Sequence, residues 1–187
     1  MRRKDREMSK KFGIEIIDKS RYGVLSVIDE ENNPYNIPLS IVRDGNTLYF
    51  HSAQEGRKVK IFKNNPLVNI VFVEDVQVPD NYSTEELDEI VKDESRTVLL
   101  ISSVFTTEFA STMVRGKVNL VENKKKKIKA LRLICKKYTP DKMDYFPAAI
   151  KAGLERVNVY SIEIDNITAK RKKYDDSGKE MKWERME

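Results

Sequence analysis

The sequence predicts a mainly β protein of the α+β class: an antiparallel β-barrel with helices at its periphery. Apolar and polar residues alternate in several short segments, as in strands that have one covered face. Asp44-Gly45 provides a tight hairpin turn between two of these segments. The chain contains no Gly-x-Gly-x-x-Gly run, and few helices separate the strands, so a Rossmann sheet is excluded.

The composition limits the classes of function. A chain of 187 residues is long enough to bury a core as one domain. The single cysteine, Cys135, excludes an intrachain disulfide and suits a reducing cytoplasm. One histidine and one cysteine leave little for a metal site, so none is predicted. No apolar stretch is long enough to span a bilayer, and the first residues lack an apolar signal core.

The net charge of +5 raises the question of nucleic-acid binding. The lysines between residues 124 and 137 are predicted to face water, because Ile128, Leu131, Cys135 and Tyr138 follow a helical period on the other side. Aromatic residues are not interleaved with the basic ones, as a stacking platform for single strands requires. Neither a nucleic-acid partner nor a membrane partner is therefore predicted.

Six segments are predicted to be strands. They are residues 22–28, 36–43, 47–52, 67–73, 109–122 and 158–164. Along residues 36–43, Ile37, Leu39 and Ile41 share one face of the strand. Residues 67–73 are so uniformly apolar that both faces are predicted to be covered. Gly116 interrupts the fifth strand and marks either a bulge or a close approach of two backbones.

The remaining segments are predicted to be helices, an insertion and a tail. Asn123 can cap a helix over residues 124–138, and residues 147–155 form a second, shorter helix. Residues 74–96 are an acidic insertion near the mouth of the site, with a capping box that begins at Ser83. Residues 98–103 are either a strand or an extension of this insertion. The predicted domain covers residues 1–170, followed by a charged, poorly ordered tail at 171–187.

A candidate phosphate site follows the third strand. That strand ends in His51-Ser52-Ala53, and a turn through Gly56 leads to Arg57-Lys58 at the start of a short helix. Two cations, a hydroxyl group and free helix-terminal N–H groups suit a terminal phosphate. The alternative is an ordinary solvated Arg–Lys pair.

The run His51-Ser-Ala-x-x-Gly-Arg-Lys58, followed by Asn65-Pro66, resembles the signature of the pyridoxamine 5′-phosphate oxidase-like FMN-binding split barrels. Within that superfamily the chain is most similar to the nitroimidazole-resistance branch. The likeness extends from Gly23 to about Lys170. It includes PYNIPLS at 34–40, FASTMVRG at 109–116, and residues 131–140, which end in Lys-Tyr-Thr-Pro. The resemblance implies an antiparallel split barrel with FMN as its cofactor.

The resemblance also implies which residues hold the flavin. The phosphate would bind at Ser52, Arg57 and Lys58, and the ring would lie along the backbone of the second strand. The predicted cofactor-binding residues are Asn36, Pro38, Leu39, Ser40, Ile41, His51, Ser52, Ala53, Arg57, Lys58 and Ser111. Ser111 stands where many superfamily members carry Gln, at the position that meets the flavin from the partner subunit of a homodimer. Pro38 marks either a strand opened beside a ligand or an ordinary edge strand.

His51 is the candidate catalytic residue. At the flavin edge, a group that titrates near neutrality can orient a substrate or relay a proton. The alternative is a strand-end residue with one structural hydrogen bond. The leading hypothesis is a homodimeric, cytoplasmic FMN-dependent oxidoreductase, nitroimidazole reductase-like, that reduces a small organic acceptor. The alternative is a non-catalytic flavin- or haem-binding split barrel. Vitamin B6 oxidation is weaker, because no clear Arg/His pair lies near the C-terminus to hold pyridoxal phosphate.

Overall fold

The computed structural model describes residues 2–182, and its main element is an eight-stranded sheet. The strands are β1 (Glu7–Met8), β2 (Gly23–Ile28), β3 (Pro34–Leu39), β4 (Val42–Asp44), β5 (Thr47–Ala53), β6 (Leu67–Gln77), β7 (Glu108–Leu120) and β8 (Val157–Lys172). Their order is β3-β2-β6-β7-β8-β5-β4, and β1 pairs with β8. The ladders of β2 with β3 and β6, of β4 with β5, and of β8 with β1 and β5 are antiparallel. The predicted fold class, an α+β antiparallel split barrel with helices, is confirmed.

Five α-helices accompany the sheet in the described part of the chain. They are α1 (Lys10–Lys19), α2 (Arg57–Asn64), α3 (Thr84–Lys92), α4 (Lys124–Tyr138) and α5 (Phe146–Gly153). The predicted caps are present: Ser83 and Glu86 form a capping box on α3, and Asn123 Oδ1 accepts from Lys126 N at 3.0 Å on α4. Residues 98–103, left open by the sequence, are not a strand, because Leu100–Val104 forms a π-helical turn.

The chain divides into two compact units. The first unit comprises residues 2–16, 73–112 and 168–182 of the described chain, and the second unit comprises residues 17–72 and 113–167. Strands β6, β7 and β8 contribute residues to both units. The domain boundary at residue 170 stays a prediction.

The core of the second unit is built around the ladder between β5 and β8. Its register runs from Thr47 opposite Glu163 to Ala53 opposite Val157. Phe50 and Tyr160 are opposite each other in this ladder, and their rings stack with centroids 5.2 Å apart. Phe62 of α2 meets both rings edge-on, at 5.9 and 5.3 Å. All three side chains are buried, so α2 is fixed against the end of β5.

Gly116 is a point of close backbone approach. Strand β7 runs through it without interruption, and a Cβ atom built there would lie 2.2 Å from the carbonyl oxygen of Glu163. Only glycine fits at that distance. Of the two alternatives that the sequence left open, the close approach is therefore correct.

Two strand predictions were wrong in detail. Residues 36–43 are not one strand: β3 ends at Leu39, β4 begins at Val42, and Ser40 and Ile41 lie between them. Strand β6 is not covered on both faces, because exposed and buried residues alternate along it. Leu67 and Val73 are 54% and 47% exposed in the single chain. Uniform apolarity did not reveal this, because apolar side chains also occur at exposed positions of a folded chain.

The tail is ordered further than predicted. Strand β8 continues to Lys172, and Tyr174 is buried. The backbone N–H of Tyr174 donates to Glu108 at 2.6 Å, and Arg6 pairs with Glu180 at 2.5 Å, both within the first unit. Charged residues of the tail therefore form ion pairs up to Lys182. Residues 183–187 of the predicted tail lie outside the described residues. Within residues 2–182, no helix has the length and apolar character needed to cross a membrane.

Candidate functional site

The N-terminus of α2 carries the first half of the candidate site. The helix begins at Arg57 because Gly56 turns the chain with φ of 123°, a conformation that favours glycine. Within the described residues, no side chain accepts a hydrogen bond from the first turn of α2. Amide groups at such a terminus attract anions, because their N–H groups point outward and the helix dipole is positive there.

The two adjacent cations have different surroundings. The Arg57 Nη2 atom pairs with Asp29 Oδ2 at 2.8 Å, and its guanidinium lies 4.6 Å from the ring centroid of Tyr35. Hydrogen bonding from Arg57 is the main cause that lowers the pKa of Asp29. Lys58 is half-buried and has no carboxylate partner among residues 2–182. Lys58, rather than Arg57, therefore offers an unneutralised charge beside the helix terminus.

The carboxylate of Asp29 also organises the turn between β2 and β3. Its Oδ1 atom accepts hydrogen bonds from the backbone N–H groups of Glu31 at 3.0 Å and Asn33 at 2.8 Å. A pocket of about 340 Å³ beside the Arg57–Asp29 pair is lined by Asp29, Glu30, Glu31, Arg57, Lys60 and Ile61. The three carboxylates outnumber the two cations, Arg57 and Lys60, which makes this pocket unfavourable for a phosphate. The anion site is therefore better formed by Lys58 and the α2 amides.

His51 lies close to Lys58. It is exposed on β5, opposite Val159 in the ladder with β8. Neighbouring atoms remove water from the imidazole, and this desolvation is the main cause that lowers the pKa of His51 below its usual value of 6.5. The positive charge of Lys58 lowers the pKa further. Both effects favour the neutral imidazole at pH 7.

Ser52 is turned away from His51. Successive side chains of a strand point to opposite faces, and His51 and Ala53 are exposed whereas Ser52 is buried. The Ser52 hydroxyl donates to the carbonyl of Ala53 at 2.7 Å. The structure thus gives the predicted phosphate donor a structural partner inside the protein.

The predicted ring-binding segment lies at the edge of the sheet order. Strand β3 pairs with β2 alone in that order, with Asn36 opposite Ser26 and Pro38 opposite Val24. Pro38 thus lies on an edge strand, which is where proline is tolerated in a sheet. The exposed side chains of this segment are Asn36, Pro38 and Ser40, whereas Leu39 is half-buried and Ile41 is fully buried. The predicted division of faces is present.

Ser111 belongs to the first unit, on β7. It is 6% exposed, between the half-buried Phe109 and the exposed Met113 on its face of the strand. Next to it, Thr112 Oγ1 donates to the carbonyl of Gly13 at 3.1 Å. Its role toward a flavin on a partner subunit stays a prediction.

The sequence of residues 13–171 matches the family described as pyridoxamine 5′-phosphate oxidase. The chain belongs to this family. No curated protein matches its sequence.

Solved structures also share the fold. A candidate 5-nitroimidazole antibiotic resistance protein of Bacteroides thetaiotaomicron is 26% identical, with a TM-score of 0.66 over 88% of this chain and 86% of that chain. A flavocytochrome of Azotobacter vinelandii is 17% identical, with a TM-score of 0.67 over 88% and 68% of the two chains. The FAD- and haem-binding protein of Mycobacterium smegmatis is 14% identical, with a TM-score of 0.67 over 89% and 73%.

Sequence reasoning missed four residues that shape the site of this family member. Asp29 and Tyr35 hold Arg57, and Lys137 and Tyr138 hold the carbonyl of Ile41. Lys137 corrects the prediction that the lysines of α4 face water. The turn composition around Asp29 and the Lys-Tyr-Thr-Pro motif were visible signals, but neither identifies a distant partner. Within residues 2–182, no three His, Cys, Asp or Glu side chains are grouped as a metal site requires.

Because the chain has one histidine, the proximity of Lys58 can be measured directly. We expect Lys58→Gln to raise the pKa of His51, since removing the positive charge relieves repulsion of the imidazolium. The pKa should remain below 6.5, because desolvation is the larger cause and is unchanged. A pH titration of the imidazole resonance by NMR gives both values. Lys60→Gln, two residues further along α2 and exposed, is the matched control, and an equal pKa in the two variants would contradict the assignment.

Proposed function

We propose that the protein is a homodimeric, cytoplasmic flavoprotein that binds FMN and passes electrons to a small organic acceptor. The observation that carries this proposal is Lys58, a cation without a carboxylate partner in residues 2–182, beside the uncapped N-terminus of α2. Membership of the pyridoxamine 5′-phosphate oxidase family supports it. Two fold neighbours, one a flavocytochrome and the other an FAD- and haem-binding protein, support a flavin in particular.

FMN is the flavin that suits this terminus. Its phosphate is terminal and carries about two negative charges, so a point charge and several N–H donors can hold it together. Lys58 and the first amides of α2 would provide these contacts. Arg57 would join them only by leaving Asp29, and Ser52 would contribute little because its hydroxyl donates to Ala53.

The flavin ring would lie along the exposed edge of β3. Asn36, Pro38 and Ser40 present one open face there, and the backbone of an edge strand has unpaired polar groups. Ala53 and His51 share the exposed face of β5. Once bound, the flavin supplies the redox chemistry, and the protein supplies orientation and electrostatics.

His51 would act on the proton balance of the acceptor. As a neutral imidazole at pH 7, it can accept a proton or donate one N–H hydrogen bond to an acceptor molecule. Proton delivery requires the imidazolium, and the lowered pKa of His51 makes this form scarcer at neutral pH than in an ordinary histidine. Phosphate bound at Lys58 would offset part of the repulsion and move this pKa upward.

The same imidazole supports a second candidate function. A neutral, exposed histidine is the form that binds haem iron, and the fold neighbour from Mycobacterium smegmatis is a protein that binds both FAD and haem. Absorbance of the purified protein separates the two candidates. Flavin bands support the flavoprotein, and a Soret band supports a haem-binding protein. A colourless preparation is loaded with each cofactor in turn, and the one that binds decides between them.

The phosphate assignment can be tested with two flavins. We expect Lys58→Ala to weaken FMN binding by about 10- to 100-fold, since a charge-assisted hydrogen bond is worth about 1.5–3 kcal/mol. Arg57→Ala should have a smaller effect, because Arg57 is paired with Asp29. Riboflavin, which lacks the phosphate, should bind both variants as it binds wild type. Fluorescence titration gives the dissociation constants.

Asp29→Asn and Lys60→Ala are the controls for this experiment. The first weakens the competition for Arg57 and should leave FMN affinity equal or tighter, whereas the second should change nothing. If Lys58→Ala binds FMN as tightly as wild type, the phosphate lies elsewhere.

The catalytic assignment concerns His51 alone. His51→Ala should retain FMN, since the phosphate contacts are at Lys58, and should slow oxidation of the reduced flavin by a nitroaromatic or quinone. A general acid–base role predicts a loss of about 10²–10⁴-fold in single-turnover experiments. The wild-type rate should change as the imidazole of His51 titrates, and that dependence should vanish in the variant. An unchanged rate and pH profile, with FMN bound, would leave His51 a structural role only.

The dimer is supported by apolar side chains on β6 and β7 of the second unit. Leu67, Met113 and Leu120 are 54%, 49% and 50% exposed in the single chain, which suits a subunit interface. We expect a dimer by sedimentation velocity at micromolar concentration, and a monomer for Leu67→Glu. Tyr145→Ser is the matched control, since Tyr145 is 71% exposed outside these strands and its variant should stay dimeric. A monomeric wild type that binds one FMN per chain would exclude a flavin site to which both subunits contribute.

A further inference from the structure

The break between β3 and β4 is held by the last turn of α4. Ser40 and Ile41 interrupt the strand pattern, and Ile41 is fully buried. The Ile41 carbonyl accepts two hydrogen bonds, from Lys137 Nζ at 3.0 Å and from the Tyr138 hydroxyl at 2.8 Å. These two side chains, which we call the Ile41 clamp, fix a carbonyl that no ladder between β3 and β4 satisfies.

The clamp connects a second element to the same point. Lys137 Nζ also donates to the carbonyl of Ile17 at 3.1 Å, so one ammonium group bridges the last turn of α1 and the strand break. The ammonium lies 5.4 Å from the ring centroid of Tyr138. Burial raises the pKa of Tyr138 above its usual value, so its hydroxyl remains a donor throughout the neutral range.

We propose that Lys137 and Tyr138 are positioning residues for the flavin ring, because they fix the backbone of Leu39, Ser40 and Ile41 where the ring is proposed to bind. This inference rests on the proposed function. Hydrogen-bonding groups must be held to within about 0.5 Å to recognise a rigid ring. The backbone after Leu39 has lost its ladder partner, and the clamp replaces the missing constraint.

The choice of side chains supports positioning in addition to stability. A half-buried lysine loses hydration and side-chain entropy when it is fixed. If the Ile41 carbonyl needed only a hydrogen-bond donor, a ladder bond or a water molecule would provide one at a smaller cost in free energy. Because the Ile41 carbonyl already accepts two hydrogen bonds, it would not be available to accept another from the flavin. The groups left to meet the ring are therefore the side chain of Ser40 and the backbone on its exposed side.

The first measurement tests the clamp without any cofactor. Hydrogen exchange of the amides of residues 39–42 should accelerate by about threefold to tenfold in Tyr138→Phe and more in Lys137→Met. Lys137→Arg should restore part of the protection, since it keeps a cationic donor. Lys136→Met is the matched control, because the adjacent Lys136 is exposed on the same helix turn and should change nothing. Unchanged exchange in both clamp variants would overturn the proposal.

The second measurement connects the clamp to the flavin. Tyr138→Phe should weaken FMN and riboflavin by the same factor, about threefold to tenfold, because the ring is common to both molecules. Lys58→Ala should weaken FMN alone. The absorbance maximum of the bound flavin should shift in the clamp variants but not in Lys136→Met.

The outcomes separate the two proposals. The clamp variants could lower the midpoint of thermal unfolding and leave both flavin affinities and the flavin absorbance spectrum unchanged. The clamp would then have a structural role only, and the positioning role would be overturned. Weakening of FMN without weakening of riboflavin would overturn it as well. If wild type binds neither flavin at micromolar concentrations, the proposed function fails, even where hydrogen exchange shows that the clamp exists.

Discussion

The ladder between β5 and β8 is the constraint on which the candidate site depends. Its seven residue pairs, from Thr47 opposite Glu163 to Ala53 opposite Val157, fix which face of β5 each side chain occupies. A slip of one residue would bury His51 and expose Ser52, because side chains alternate along a strand. The stacked rings of Phe50 and Tyr160 make such a slip costly, and Phe62 ties α2 to the same cluster. The packing of these rings thus determines where the N-terminus of α2 lies.

The two adjacent cations, Arg57 and Lys58, differ in their electrostatic surroundings. Arg57 is neutralised by Asp29 and packs on Tyr35, so it joins α2 to the turn between β2 and β3. Lys58 has no carboxylate partner within residues 2–182, and its positive charge adds to desolvation in lowering the pKa of His51. An anion at Lys58 would change both conditions together. If a cofactor phosphate binds at Lys58 as proposed, its binding and the protonation of His51 are linked through one ammonium group, and each depends on the other.

Local features of the sequence predicted what local interactions determine. Asn123 and Ser83 were recognised as caps because their partners lie three residues away. The pairing of Arg57 with Asp29 was not predictable, since 28 residues separate them and an exposed pair leaves no pattern. Lys137 resembled its solvated neighbours, because its acceptors are backbone carbonyls 96 and 120 residues away. The outer face of β6 was misassigned because composition does not show which face of an apolar strand the chain itself covers.

Three of the segments that carried the family resemblance act on or through the backbone. Gly116 admits the backbone of Glu163, the Lys-Tyr-Thr-Pro segment holds the carbonyl of Ile41, and Gly56 opens the amides of α2. A backbone contact does not depend on which side chain its partner carries, so it survives extensive sequence change. This explains how a chain 26% identical to a structural neighbour can keep its fold. The residues proposed to bind the cofactor and the acceptor, His51 and Lys58 above all, would act through their side chains, so each assignment needs its own test.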